Sequence, residues 1–143
     1  MKLSFIIAGT LLLLTLASCA SQNQVTLEAD NYQAAAEYRY WSTPVPGSTE
    51  LEEKGIDLII TLHQWHEDYE PLYAVFDQRK SFLPVVTKHD NSTAVITARI
   101  ILESHLIDEF SEKTELSDRL VYRRSDGSEH YFKISKKKEV LSD

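Results

Sequence analysis

The chain has 143 residues, with 15 Lys and Arg against 22 Asp and Glu, five His and a single Cys. That length suits one domain, and 43% hydrophobic with 26% charged residues is an ordinary globular composition, which excludes wholesale disorder. A net charge of −7 argues against nucleic acid as a partner, because phosphate binding needs a basic face, and one Cys excludes an internal disulfide framework and any Cys-cluster metal site.

Met1-Lys2 gives a short positive start, and Leu3 to Leu16 is apolar apart from Ser4, Gly9, Thr10 and Thr15. The run is shorter than the about 20 residues of a membrane span, and small residues follow it, so residues 1–18 are expected to be a secretory signal peptide. Leu16-Ala17-Ser18-Cys19 resembles the lipobox of bacterial lipoprotein precursors. The resemblance implies a diacylglycerol on the Cys19 thiol, cleavage just before Cys19, and acylation of the new amine by palmitate-type chains. Small side chains at Ala17 and Ser18 admit the backbone to the peptidase, and only a thiol accepts the thioether-linked lipid. The lipid bilayer is then a partner through Cys19, and the location is the cell envelope. Ala20, where an Asp would retain the protein at the inner membrane, implies the outer membrane facing the periplasm in a cell with two membranes. The resemblance covers about the first 19 residues and implies nothing about the rest.

Cys19 to Ala36 reads as the lipidated Cys and a polar tether, with a possible helical turn near Tyr32 to Glu37. Strand signals begin at Glu37. Tyr38 to Trp41 is aromatic and ends at Pro44-Val45-Pro46-Gly47, a turn. Ile56, Leu58, Ile60 and Leu62 alternate with Asp57, Ile59, Thr61 and His63, the period of a half-buried strand. Leu72, Ala74 and Phe76 repeat the pattern, and Asp77-Gln78-Arg79 turns into Ser81 to Val86, where Pro84 argues for an edge or a bulge. Ala94 to Leu102 is the clearest strand, with Ile96, Ile100 and Leu102 expected on one inward face. Ser104 to Asp118 is polar and is expected to hold a short strand and a long loop.

Arg119 to Arg124 and Glu129 to Ser135 flank Ser125-Asp126-Gly127-Ser128, a hairpin signal in which Gly127 takes positive φ. A three-residue loop pairs Leu120 with Phe132 and collects the larger apolar pair; a two-residue loop pairs Tyr122 with Tyr131. The expected fold is all-β: an antiparallel sandwich of about seven strands over residues 37–135, immunoglobulin-like in size, with a small β-barrel as the alternative. Residues 136–143 read as a polar tail, whose Lys136-Lys137-Lys138 is most simply solubilising, although it could touch anionic headgroups.

Chemical signatures are sparse. After the leader the glycines are Gly47, Gly55 and Gly127, so glycine-rich nucleotide and phosphate loops are absent, and no Gly-x-Ser-x-Gly elbow exists. No cofactor is expected, and the chain reads as a non-enzyme. His63 and His66, beside Glu67, Asp68 and Glu70, are the metal candidates; His89, His105 and His130 could join them in principle, but the sequence does not place them together. Two ligands do not complete a tetrahedral set, and a spacing of three sends them to opposite faces of a continuing strand. Trp41, Trp65 and Tyr69 are the candidate ligand contacts, since exposed aromatic faces stack on sugar rings. Core packing is the competing role, and Trp65 or Tyr69 capping the core is the simpler arrangement. Residues 20–78 carry 11 acids and two bases, residues 79–143 11 acids and 12 bases. The acidic half forms one face only if the strands do not interleave. The reading is a membrane-anchored binding or accessory module for an envelope protein or glycan, with envelope metal handling or glycan binding as alternatives.

Overall fold

A computed structural model describes residues 27–105 and 111–141; the leader and Cys19 lie outside them. The described residues are all-β, with eight strands: β1 (Glu28–Pro44), β2 (Glu52–Leu62), β3 (Glu70–Phe76), β4 (Arg79–Lys80), β5 (Val85–Asp90), β6 (Thr93–Glu103), β7 (Arg119–Arg123) and β8 (Glu129–Glu139). They form one sheet in the order β4-β3-β7-β8-β1-β2-β6-β5. The all-β class is as expected. The detail differs: eight strands rather than about seven, one continuous ladder, and a parallel β1–β8 pair among antiparallel neighbours.

The sheet stays open between its edges β4 and β5, so it is not the barrel alternative. It is sandwich-like because it curls until its two halves face each other across one core. Tyr38 on β1 meets Phe76 on β3 at 4.8 Å between ring centroids, although β7 and β8 lie between those strands in the ladder. Trp65, just past β2, lies 5.7 Å from Tyr122 and 6.3 Å from Phe132. Single hydrogen bonds stitch the seam. Phe82 N–H donates to the Arg99 carbonyl at 3.1 Å, and Ser111 Oγ accepts from Ile101 N–H at 2.8 Å.

The period-2 pattern explains the centre. Ile56, Leu58, Ile60 and Leu62 are buried and pair across with Ile100, Ala98, Ile96 and Ala94, a large side chain facing a small one at two of the four rungs. At the next rung the register slips between Gly55–Ile101 and Lys54–Glu103. This bulge buries Ile101 on the other face and leaves Leu102 half-buried against the core rather than fully inward. Gly55 is required where it stands: a Cβ there would collide with the Ile100 carbonyl oxygen and with the Trp41 ring laid over it. The hairpin pairs Leu120 with Phe132, the register of the three-residue loop, and Gly127 has φ +83°.

Both domain boundaries move outward. β1 starts at Glu28, so the stretch 28–36 read as tether is strand, and Tyr32 to Glu37 is not helical. Ala34 and Ala36 are 2% exposed and pack between β8 and β2, opposite Ile134 and Ile60. Lys136 to Glu139, read as tail, continue β8 because the parallel partner β1 supplies hydrogen bonds as far as Tyr38. Ser81 to Pro84 is a connection, and Pro84 precedes the edge strand β5, where its missing N–H costs no ladder bond.

Candidate functional site

Alternation along β1 sends Tyr38 and Tyr40 to the same side, two residues apart. There they meet Phe76 at the end of β3 and form an open groove of about 590 Å³ with Asp77, Gln78, Glu115, Leu116, Ser117, Asp118 and Lys137. Tyr38 is half-buried and packs edge-on against Tyr40 at 5.9 Å, 87° between planes. Tyr40 is 46% exposed, so one ring face is open to a ligand. Its hydroxyl is held above the usual phenol range, first by partial burial and then by the charges of Asp77, Tyr38 and Glu139.

The floor of the groove is a strained turn. Asp77 and Gln78 take φ of 50° and 59°, a left-handed pair that non-glycine residues adopt at a cost of about 1 kcal/mol or more each. Asp118 holds the turn in place: its Oδ1 accepts from Asp77 N–H at 3.0 Å, and its Oδ2 accepts from Lys137 Nζ at 2.7 Å. Thr114 N–H donates to the Gln78 carbonyl at 2.8 Å. The hydrogen bond to Asp118 raises the Lys137 pKa, and the same ammonium sits 5.6 Å over the Phe76 ring. Open aromatic face, amide, carboxylates and ammonium thus converge in one concave place, the composition expected of a binding site.

A second polar cluster sits at the hairpin end of the sheet. Tyr122 is fully buried; its O–H donates to Asp30 Oδ2 at 2.7 Å, and Arg124 Nη2 donates to the same phenol oxygen at 3.2 Å. Burial, and then the bond to Asp30, pushes the phenol well up. Nearby, Ser128 Oγ lies 2.8 Å from His130 Nε2, and His130 Nδ1 lies 3.7 Å from Glu28 Oε2. This has the outline of a serine nucleophile with base and acid. The protons are placed otherwise. Ser128 Oγ donates to Asp126 Oδ1 at 2.5 Å, which turns its hydroxyl proton to the carboxylate rather than to His130. Ser128 N–H is spent on the same Asp126 oxygen, and Gly127 N–H on the Arg124 carbonyl, so neither is free to stabilise an oxyanion. These bonds hold the Asp126 carboxyl below its usual range, and the cluster is a hairpin lock.

Of the residues singled out from sequence, Trp65, His66 and Tyr69 come together around the Tyr69 ring, whereas Trp41 and His63 lie apart from them. Trp65 is 2% exposed and buried among Tyr69, Tyr122 and Phe132. Tyr69 is half-buried, its ring tilted 32° against Tyr122 at 4.6 Å. Trp41 covers Gly55 on the outer face and is itself covered by the Arg99 guanidinium at 5.0 Å. β2 ends at Leu62, so strand alternation does not govern His63 and His66. His63 Nδ1 is 3.4 Å from Thr93 Oγ1, and the His66 ring is 5.0 Å from Tyr69. Among the described residues no three His, Cys, Asp or Glu side chains are grouped to hold a metal ion. Tyr38 and Tyr40 were visible in the sequence as part of an aromatic set. Nothing local marked Asp118, which meets Asp77 across 41 residues. No family model matches this chain, and neither a curated protein nor a solved structure shows detectable similarity to it.

Proposed function

We propose that this chain is a lipid-anchored, non-enzymatic binding module of the cell envelope whose groove takes a saccharide. The observation that carries the ligand class is the open Tyr40 face beside Gln78, Asp77 and Glu115. A flat apolar ring face suits the C–H face of a sugar, and the amide and carboxylates are the acceptors and donors its hydroxyls need. Leu16-Ala17-Ser18-Cys19 supports the anchor.

Each half has its own test. Cys19→Ser removes the sole acceptor thiol, so the protein should leave the detergent phase in Triton X-114 partitioning; unchanged partitioning overturns the anchor. For the groove, a glycan array should yield at least one bound saccharide class. Tyr40→Ala should weaken that binding about tenfold, ~1.4 kcal/mol, with the melting temperature nearly unchanged because the ring is half exposed. An empty array, or undiminished binding by Tyr40→Ala, overturns the saccharide reading.

A further inference from the structure

The lysine run of β8 is sorted by a bulge. In the parallel register Gln33 faces Lys133 and Ala34 faces Ile134, but Ala35 faces Lys136 and Glu37 faces Lys138, so Ser135 is skipped. Ala34 and Ala36 point into the core, which puts Gln33, Ala35 and Glu37 on the outer face. Lys133, Lys136 and Lys138 therefore share that outer face, although an unbroken strand would set Lys133 against the other two. Lys137 turns the other way, to Asp118. The three outer lysines are exposed and run alongside four residue steps of β1, Gln33 to Glu37, about 13 Å. Among the described residues none of their ammonium groups has an ion-pair partner.

The neighbouring strands extend the field. Arg119 pairs with Lys133 across β7–β8 and lies flat on the Tyr131 ring at 4.0 Å. Further along the same face, Arg39 and Arg99 flank Asp57 at 3.6 and 2.7 Å and leave one positive charge in excess. Glu37 beside Lys138, and Glu70 and Glu129 on Arg123, share this face, and its cations still outnumber its acids in a chain with seven more acids than bases. The strand order interleaves the acidic and balanced halves of the sequence.

We propose that this face lies against an anionic phospholipid surface. The lysine row lies on the outer side of a strand, and its ammonium groups, which have no ion-pair partner among the described residues, complement a plane of phosphates. The proposal rests on the anchored reading above for its geometry. Eight residues separate Cys19 from Glu28, a reach of at most about 32 Å. Glu28 is the parallel partner of His130, so the tether enters beside the start of β8 and keeps the lysine row within reach of the bilayer.

The test uses the full chain reconstituted with vesicles of pure phosphatidylcholine or with 30% phosphatidylglycerol, labelled briefly with an amine-acetylating reagent and read by mass spectrometry. Lys133, Lys136 and Lys138 should label about fivefold less on anionic vesicles, and 0.5 M NaCl should restore them. Lys54 and Lys113, exposed elsewhere, should not change. The double variant Lys136→Glu, Lys138→Glu should lose the protection at Lys133. Equal labelling of the three lysines on both vesicles, or protection that survives the double variant, overturns the proposal. Failure of the anchor is read apart from this, as a chain that does not float with neutral vesicles.

Discussion

Ile100→Asp should prevent folding. Ile100 is fully buried on β6, faces Ile56 on β2, and belongs to one apolar core with Leu58, Ile60 and Ile96. A carboxylate there loses its hydration without compensation, and the unpaired charge costs several kcal/mol even after relaxation. That is comparable with the whole stability of a typical domain, about 5–15 kcal/mol. The neighbour on the opposite face is the control. Arg99→Ser removes a bidentate pair to Asp57 at 2.7 and 3.2 Å and a cation over Trp41, but the side chain is 59% exposed. Asp57 keeps Arg39 at 3.6 Å, so the loss should stay near 1 kcal/mol. Circular dichroism and urea titration of the two variants make the comparison. Similar tolerance of both changes would sink the assignment of the inner face.

How much of this fold was legible follows from how local each signal is. β2 and β6 declare themselves because Ile and Leu alternate with polar or small residues over eight or more positions, and the hairpin because Gly127 must take φ +83°. Where the signal is cross-strand the sequence is silent. Ala34-Ala35-Ala36 has no polar contrast and low β propensity, yet it is strand because β2 and β8 close on it from both sides. Lys136 to Glu139 looks like solvent tail until β1 is known to run parallel beside it. The groove is divided in the same way. The Tyr38–Tyr40 spacing shows which side of β1 they share, but the turn at Asp77–Gln78 is pinned by Asp118, whose role exists only after β3 and the approach to β7 are neighbours. Aromatic identity alone misleads about exposure: Trp65 sits in a polar stretch, His63 to Glu70, and is nonetheless core.

Trp65→Ala should therefore act on stability before it acts on any ligand. The indole is 2% exposed and fills the space where the two halves of the sheet meet, 5.5 Å from Tyr69, 5.7 Å from Tyr122 and 6.3 Å from Phe132. Its backbone is fixed independently of the ring: its N–H donates to the Ser92 carbonyl at 2.8 Å, and its carbonyl oxygen lies 3.3 Å from His89 Nε2. Truncation would leave the loop in place above an unfilled cavity. Buried Trp→Ala changes cost about 3–5 kcal/mol, the transfer of the ring plus the void that packed neighbours cannot close. Part of the loss should return in Trp65→Phe, which keeps a ring against Tyr122. The midpoint of urea unfolding should fall with the slope of the transition preserved, since the surface exposed on unfolding is nearly unchanged. A loss below about 1 kcal/mol in Trp65→Ala, together with abolished saccharide binding, would return Trp65 to the role of a ligand contact and place the binding site at the other end of the sheet from Tyr40.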